Sequence, residues 1–341
     1  MPPSSPAPEP SPPGAGVDVL IVSVGATTGW RASARELQAA FDRAGARAAT
    51  VQAGPVRDVR SFMLTDLVQA RAARDAARRG IAEYRPRAIV YCSVTAALLW
   101  PAPGAVWVDA VAAENRPGRH GVWQRWVERR RLARSPLVLA MGPGALAALG
   151  PGPWDDAVVV PTAVDPSGPP APERDIAVLA YAADPVKRRL DLIIDRWTQV
   201  RRESETLVVA GIERADARPG VRFAGQLSPD AYRALLRRAR VFAAAPRRED
   251  YGIAALEALA DGAMLATTPA PGLYPALRLA RELDPRLVSD DLGASLRAAL
   301  DTPAPGYAER AAALVAPFGR AAVARTVGED VLPRLLPGWG A

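Results

Sequence analysis

Short apolar segments alternate with longer amphipathic segments along most of the chain. The first apolar segment, residues 17–25, ends in glycine. In the segment that follows it, one helical face carries Ala34, Leu37, Phe41 and Ala44. Further apolar segments stand at 88–92, 105–109, 137–141 and 157–161. This alternation predicts the strands and helices of a parallel sheet that helices cover on both faces.

A Pro- and Gly-rich stretch at 161–175 interrupts this alternation and is the best candidate for a domain boundary. The alternation then restarts, with strands predicted at 175–182, 206–211, 221–225, 241–246 and 264–268. Ser228 followed by Pro229 is a strong helix start, because serine caps a helix and proline suits its first turn. We therefore expect an α/β protein with two Rossmann-like domains facing a cleft.

The expected organisation has four parts. Residues 1–16, which hold seven prolines and no basic residue, are predicted to be a disordered tail. Residues 17–165 and 166–305 are predicted to be the two Rossmann-like domains. Residues 306–341 are predicted to be helices that cross back to the first domain.

The amino-acid composition excludes several classes of protein and several kinds of metal site. The chain has 341 residues, of which 49% are hydrophobic and 23% charged, as in globular proteins. A single cysteine, Cys92, and a single histidine, His120, exclude a disulfide framework and multi-histidine or Cys-rich metal sites. The net charge of +7 arises from 43 basic and 36 acidic residues that are interleaved, without a nucleic-acid motif. We expect no nucleic-acid partner.

Two long uncharged segments, at 88–108 and 135–154, are broken by proline and glycine and are predicted to be buried core rather than membrane spans. The N-terminal tail lacks the basic start and apolar core of a signal peptide. We therefore expect a cytoplasmic protein. Peripheral contact with the inner membrane face stays open as an alternative.

The chemistry is concentrated in residues 241–268. Glu249 is expected in a loop after a strand, and Glu257 on the helix that follows. Tyr251, Gly252 and Ile253 lie between them at the predicted helix start, where free amides can hold a phosphate. Carboxylates at these two places could accept hydrogen bonds from a sugar and from ribose hydroxyls. Their spacing alone would also fit two unrelated surface glutamates.

Residues 206–268 resemble the donor-binding half of glycosyltransferase family four, which has the GT-B fold. The family's E-x7-E motif stands here as Glu249-Asp250-Tyr251-Gly252 and Glu257-Ala258-Leu259-Ala260-Asp261-Gly262, and 158–166 resembles its interdomain segment. The resemblance implies retaining, metal-independent transfer of a sugar, hexosyltransferase-like, from a nucleotide-diphosphate sugar, with no separate cofactor. It also implies that Glu257 binds the ribose and Glu249 the donor sugar.

The family's Gly-Arg-x4-Lys motif is only partly present. Lys187, the only lysine of the chain, matches the motif's lysine, which implies a role at the donor diphosphate. Ala182 and Tyr181 replace the motif's arginine and glycine, so that Arg188 or Arg189 is the candidate substitute cation. The acidic donor loop that often follows in the family is replaced by 268–275.

The N-terminal half offers weaker candidates. Gly25 and Gly29 flank a loop that opens onto a helix, where the resemblance places acceptor and donor phosphate. A plain strand–helix turn explains the same pattern equally well. Asp109 ends a predicted strand, where cleft residues belong, and His120 could contact sugar or phosphate. We name Asp109 and His120, with Glu249 and Lys187, as the candidate catalytic residues.

Residues 122–134 form a basic amphipathic helix containing Trp123 and Trp126. The simpler interpretation places both tryptophans in the core and the arginines in water. The alternative is a helix resting on anionic lipid.

The sequence thus predicts a glycosyltransferase that acts on an unidentified glycan, lipid or small-molecule acceptor. The alternatives are a catalytically silent homologue that binds a sugar nucleotide or a partner, a sugar-nucleotide epimerase, and a basic protein that binds lipid or nucleic acid.

Overall fold

The computed structural model describes residues 16–340 except 26, 55, 57–61, 170, 215–217 and 273. It also leaves the side chains of Thr28, Phe62, Met63 and His120 undescribed. Residues 1–15 of the predicted tail therefore lie outside the described part of the chain.

The first sheet has six parallel strands in the order β2-β1-β3-β4-β5-β6. Its strands are β1 (Val19–Ser23), β2 (Ala48–Gln52), β3 (Ala88–Tyr91), β4 (Ala105–Val108), β5 (Val138–Ala140) and β6 (Val158–Val159). Its helices are α1 (Thr28–Arg43), α2 (Phe62–Tyr84), α3 (Val94–Ala97), α4 (Ala112–Asn115), α5 (Val122–Leu132) and α6 (Pro143–Ala148). A single 3-10 turn, Arg119–Gly121, leads into α5.

The second sheet has five parallel strands in the order β11-β10-β7-β8-β9. Its strands are β7 (Ile176–Tyr181), β8 (Leu207–Ala210), β9 (Val221–Gly225), β10 (Ala239–Ala244) and β11 (Met264–Thr267). Its helices are α7 (Leu190–Val200), α8 (Pro229–Arg238), α9 (Ile253–Ala260), α10 (Pro275–Leu283) and α11 (Leu292–Asp301). The chain closes with α12 (Tyr307–Val315), α13 (Arg320–Thr326) and α14 (Leu332–Leu335), interrupted by a 3-10 turn and a π-helical turn.

The predicted apolar faces are the faces that pack on the sheets. On α1, Ala34, Leu37 and Phe41 are buried, and Ala44 is half-buried at the helix end. The buried face of α7 consists of Leu190, Ile193, Ile194 and Trp197. Ser228 caps α8 by accepting a hydrogen bond from the backbone N–H of Ala231 at 3.2 Å. The expected α/β architecture with parallel sheets is confirmed.

The C-terminal helices contact the first domain. Arg320, at the start of α13, donates to both carboxylate oxygens of Glu36 on α1 at 2.8 Å. It also donates to Asp165 in the segment between the two sheets, at 3.1 Å. Arg334 of α14 donates to the Asp156 carbonyl at 2.8 Å. One arginine thus joins α1, the connecting segment and the C-terminal helices.

Strand β2 and helix α2 are among the elements that the sequence analysis did not predict. Strand β2 is half-exposed at the sheet edge, so its composition gives little apolar signal. Helix α2 is long, but alanines supply most of its buried positions. None of the helices among the described residues combines the length and hydropathy that a transmembrane span needs.

Candidate functional site

The strand order in each sheet marks where a ligand is expected. Strand β7 lies between β8 and β10, and β1 lies between β2 and β3, so the connections run in opposite directions from these central strands. Such a reversal opens a crevice at the carboxyl ends of the strands. Three candidate segments follow the strands at these reversals: Gly25–Gly29 after β1, Lys187–Arg188 after β7 and Glu249 after β10.

Each domain lines one side of the cleft, and we call these two sides its walls. Arg188 and Glu249 lie at the centre of the wall that the second domain forms. The Arg188 guanidinium donates a hydrogen bond to Glu249, with 25% of the arginine side chain and 9% of the glutamate side chain exposed. The backbone N–H of Glu249 donates to the Pro271 carbonyl at 3.1 Å, which fixes the loop. A small cavity beside this pair is also lined by Tyr181, Tyr274 and Gly252.

Gly252 sets up the start of α9. Its φ of +81° lies in the left-handed region, and a Cβ there would come within 2.9 Å of the Tyr274 ring and 3.3 Å of Glu249 Cγ. Glycine is therefore needed both for the backbone conformation and for the close approach. Helix α9 begins at Ile253, directly after Gly252, and no side chain caps its first backbone N–H groups among the described residues. Anions bind favourably at such a helix start.

Glu257 lies one turn into α9 on a face directed toward the connecting segment. Its carboxylate is 3.5 Å from Arg233 of α8, and its side chain is 23% exposed. Burial raises the pKa of Glu257 to about 7, and nearby Asp261 and Glu36 add to the increase while Arg233 opposes it. The group therefore changes charge near neutral pH.

Two tyrosines that the sequence analysis did not assign to the site stand between Glu257 and Arg188. The rings of Tyr181, at the end of β7, and Tyr232, on α8, are 5.3 Å apart. The Tyr232 hydroxyl is buried and has no hydrogen-bond partner among the residues that the structure describes. Ala182 is fully buried, so no side chain reaches the cleft from that position. Tyr181 was visible in the sequence only as a departure from the family's glycine.

Asp109 lies on the opposite wall, just after β4. Burial, and then the charge of Asp250 across the cleft, raise the pKa of Asp109 to about 7. The Lys187 ammonium is near enough to oppose this increase. Lys187 is exposed, and Arg188 is the cation that contacts Glu249.

The two walls touch at two places. Arg248, beside Glu249, donates to Asp250 at 2.8 Å and to the Glu114 carbonyl of α4 at 3.2 Å. A Cβ on Gly29 would lie 4.0 Å from the Ile253 side chain. Gly25 has a φ of +61°, and its carbonyl accepts a hydrogen bond from Arg31 at 2.8 Å. The Gly25–Gly29 loop therefore faces the start of α9.

The remaining candidates are placed differently. The hydroxyl of Tyr251 donates to the Thr162 carbonyl at 2.8 Å, so its side chain anchors the connecting segment. The backbone of His120 lies in the 3-10 turn before α5, and its side chain is outside the described atoms. Buried Glu128 accepts from the Ala112 N–H at 2.8 Å and so fixes the segment that follows Asp109.

A family model described as "Glycosyl transferases group 1" matches residues 174–300, which include every strand of the second sheet. No curated protein matches the chain in sequence.

Solved glycosyltransferase structures match the whole chain. The α,α-trehalose 6-phosphate synthase of Burkholderia multivorans superposes with a TM-score of 0.66 and 11% identity over 93% of this chain and 98% of that one. WaaG, a glycosyltransferase involved in lipopolysaccharide biosynthesis, superposes with a TM-score of 0.64 and 13% identity. The match covers 94% of this chain and 100% of WaaG. A trehalose-6-phosphate protein from E. coli, bound with UDP-2-fluoro glucose, superposes with a TM-score of 0.62 and 11% identity. The match covers 92% of this chain and 98% of that one. These likenesses establish the GT-B fold.

Proposed function

We propose that this protein is a family-four glycosyltransferase that transfers a sugar, of the hexosyltransferase type, from a nucleotide-diphosphate sugar with retention. The observation that carries the proposal is the Arg188–Glu249 pair at the start of α9, at the strand-order reversal of the second sheet. This pair and Glu257 lie within the region that matches the family model. One of the structural neighbours binds UDP-2-fluoro glucose, which is a donor of this class.

Arg188 is assigned to the donor diphosphate. It is the cation that lines the cavity beside Gly252, within reach of the α9 start. A diphosphate competes with Glu249 for this guanidinium, since both are anions. When Arg188 turns to the diphosphate, the Glu249 carboxylate is released to accept hydrogen bonds from the sugar hydroxyls. The α9 amides hold the diphosphate from the other side.

Glu257 is assigned to the ribose. An ionised carboxylate accepts hydroxyl hydrogen bonds at both oxygens and more strongly than a protonated carboxyl does, and the Glu257 pKa of about 7 makes that state pH-dependent. We therefore expect donor affinity to decrease as pH falls below about 7.

In the proposed reaction, the second domain's wall binds the donor and the first domain's wall binds the acceptor. Arg188, Lys187 and the α9 amides stabilise charge on the departing diphosphate, which needs no bound metal in this scheme. Asp109 positions the acceptor hydroxyl, and the leaving phosphate helps to take its proton in a front-face displacement. His120 stays a candidate on the acceptor side. The acceptor's identity is outside this proposal.

The decisive experiment is calorimetric titration of nucleoside diphosphates and nucleotide-sugars into wild type and Glu257→Ala. We expect one nucleotide-sugar to bind, and the variant to lose about 10- to 100-fold in affinity, as for one or two charge-assisted hydrogen bonds. Glu282→Ala, an exposed glutamate of α10, is the matched control and should bind as wild type does. Equal affinities in all three proteins would refute the ribose assignment. Release of free nucleotide in the presence of EDTA would then test metal independence.

A catalytically silent homologue is the second candidate. It is favoured by the fully buried Ala182, which leaves the donor wall without the family's arginine. Tight donor binding without turnover of donor, in a screen of glycan, lipid and small-molecule acceptors, would favour it. Measurable donor hydrolysis or transfer would exclude it.

A further inference from the structure

Arg233 of α8 directs its guanidinium to three places. Its Nε donates to the carboxylate of Asp261, at the end of α9, at 2.7 Å. Its Nη2 donates to the Asp165 carbonyl in the connecting segment at 2.8 Å. Its Nη1 faces the Glu257 carboxylate at 3.5 Å. Only 13% of the arginine side chain is exposed, so one fixed cation stands between two carboxylates of α9.

The two carboxylates are satisfied unequally. The Asp261 side chain is fully buried and also accepts from the Ser167 backbone N–H at 2.7 Å and from the Ser167 hydroxyl at 2.9 Å. Glu257 keeps 23% of its side chain exposed and, among the residues that the structure describes, meets Arg233 only as an ion pair. Its oxygens therefore keep the capacity to accept hydrogen bonds from a ligand.

The charges around Glu257 come from several helices. Beyond burial, the charged groups that act on it are, in order of effect, Arg233, Asp261, Glu36 and Arg320. The two arginines favour the ionised carboxylate, and the two acidic residues oppose it. Tyr232 of α8 also interacts with Glu257, but burial raises the pKa of this phenol well above its ordinary value, so that it stays neutral. Arg233 is thus the main charge that favours ionised Glu257.

We infer that Arg233 is a positioning residue for the donor, which holds the Glu257 carboxylate toward the ribose and supplies the cation that faces it. The inference rests on the ribose assignment of Glu257 in the proposed function. Ribose hydroxyls donate most strongly to a charged carboxylate, so Arg233 and the ribose stabilise the same state of Glu257. A donor that binds to protonated Glu257 releases the carboxyl proton to water.

The test is the pH dependence of affinity for uridine, guanosine and adenosine diphosphates, measured by calorimetry between pH 6 and pH 9. Each variant is compared with wild type at the same pH, which cancels the titration of the diphosphate itself. Arg233→Met removes the cation and keeps a long side chain. We expect the midpoint of the affinity profile to rise by about one pH unit, which lowers the affinity about 10-fold at pH 6 and by less than about 2-fold at pH 9.

Two further variants separate charge from structural support. Arg233→Lys keeps the cation without the planar fork and should keep the midpoint near that of wild type. Asp261→Asn should lower the midpoint, because it removes a charge that opposes ionised Glu257. A merely structural role for Arg233 predicts instead a loss of affinity that is the same at every pH and that Arg233→Lys and Asp261→Asn share.

Carbon-13 labelling of glutamate carboxyls measures the Glu257 titration without a donor, with the signal assigned by its absence in Glu257→Gln. The titration should move upward in Arg233→Met. It should stay in place in the matched control Arg237→Met, which removes another α8 arginine that donates to Ser167 at 2.6 Å. If Arg233→Met does not fold, the opposite shifts expected of Arg233→Lys and Asp261→Asn relative to a structural role carry the test.

Failure of this inference is distinguishable from failure of the proposed function. An unmoved titration in Arg233→Met, with affinity lost in Glu257→Ala, would overturn the role of Arg233 and leave the ribose assignment standing. Unchanged affinity in Glu257→Ala would overturn the ribose assignment, and with it the positioning role, even where the titration moves. Absence of binding by all three diphosphates would overturn both.

Discussion

The two walls of the cleft differ in how their charges are satisfied. On the second domain's wall, the carboxylate of Glu249 is paired with Arg188 of the same wall. On the first domain's wall, Asp109 has a raised pKa, and the charges that act on it from across the cleft are Asp250 and Lys187. The second domain's wall is thus preassembled within one domain. On the first domain's wall, the pKa of Asp109 depends in part on the distance to the charges of the second domain.

The largest expected effect is that of Arg188→Ala, which breaks the donor wall. It leaves the Glu249 carboxylate buried without its partner and removes the assigned diphosphate cation. We expect donor affinity to fall at least 100-fold, with a loss of stability of about 3 kcal/mol, as when one partner of a buried ion pair is removed. Calorimetry and chemical denaturation measure the two effects.

Two neighbouring variants sharpen this result. Arg188→Lys keeps the charge but loses the planar fork, so an intermediate affinity is expected. Arg247→Ala removes an exposed arginine from the same loop as Glu249 and should leave donor affinity unchanged. If Arg247→Ala weakens donor binding as much as Arg188→Ala does, the effect is one of overall charge and the assignment to Arg188 fails.

The variant Asp109→Asn tests the raised pKa of Asp109 through the pH dependence of the free energy of unfolding. A carboxyl whose pKa is raised in the folded state contributes stability below its ordinary pKa of 3.8 and loses it as pH rises through about 7. The asparagine variant lacks this loss. Relative to wild type it should therefore gain ~1–4 kcal/mol between pH 4 and pH 8.

Denaturation of both proteins across this pH range measures the gain, with the exposed Asp290→Asn as control. A pH-independent difference between Asp109→Asn and wild type would show that Asp109 is not desolvated. Transfer activity of the variant should fall even where its stability increases, because the carboxylate that positions the acceptor is missing.

The smallest effect is expected where the two domains are joined. Arg320→Met removes the bonds from α13 to Glu36 and Asp165, whose side chains are partly exposed. Pairs of this kind contribute little, so we expect a loss of about 1 kcal/mol. The Arg320 charge also lowers the pKa of Glu257, so donor affinity should fall slightly near pH 7 and stay unchanged at pH 9, where Glu257 is ionised in both proteins. A changed donor affinity at pH 9 would mean that the Arg320 bonds also set the distance between the walls.

The secondary-structure positions of Glu249, Gly252 and Glu257 were predictable from sequence because one continuous segment carries all three residues. Residues 249–257 form a loop, a glycine turn and a helix, so their spacing along the chain fixes their placement in space. The pairing of Glu249 with Arg188, rather than with Lys187, was not predictable. The two basic residues are adjacent, and the turn before α7, with Arg189 at a φ of +47°, decides which of them faces the cavity.

Helix α5 shows where sequence reasoning failed. Its pattern of tryptophan and arginine fits two opposite orientations. The structure turns Gln124 and Glu128 inward, where they bond to Asp66 of α2 and to the Ala112 N–H of α4, and it leaves Trp126 62% exposed rather than in the core. A single helix does not contain that information.

The sequence by itself determined the α/β architecture with its parallel sheets, the packed faces of helices α1 and α7 and the local geometry around Gly252. These follow from hydrophobic periodicity and from backbone rules that act within a few residues. The tertiary structure alone decided which cation meets Glu249, the raised pKa values of Asp109 and Glu257, and the exposure of Trp126. Each of these depends on desolvation and on charges brought together from distant parts of the chain.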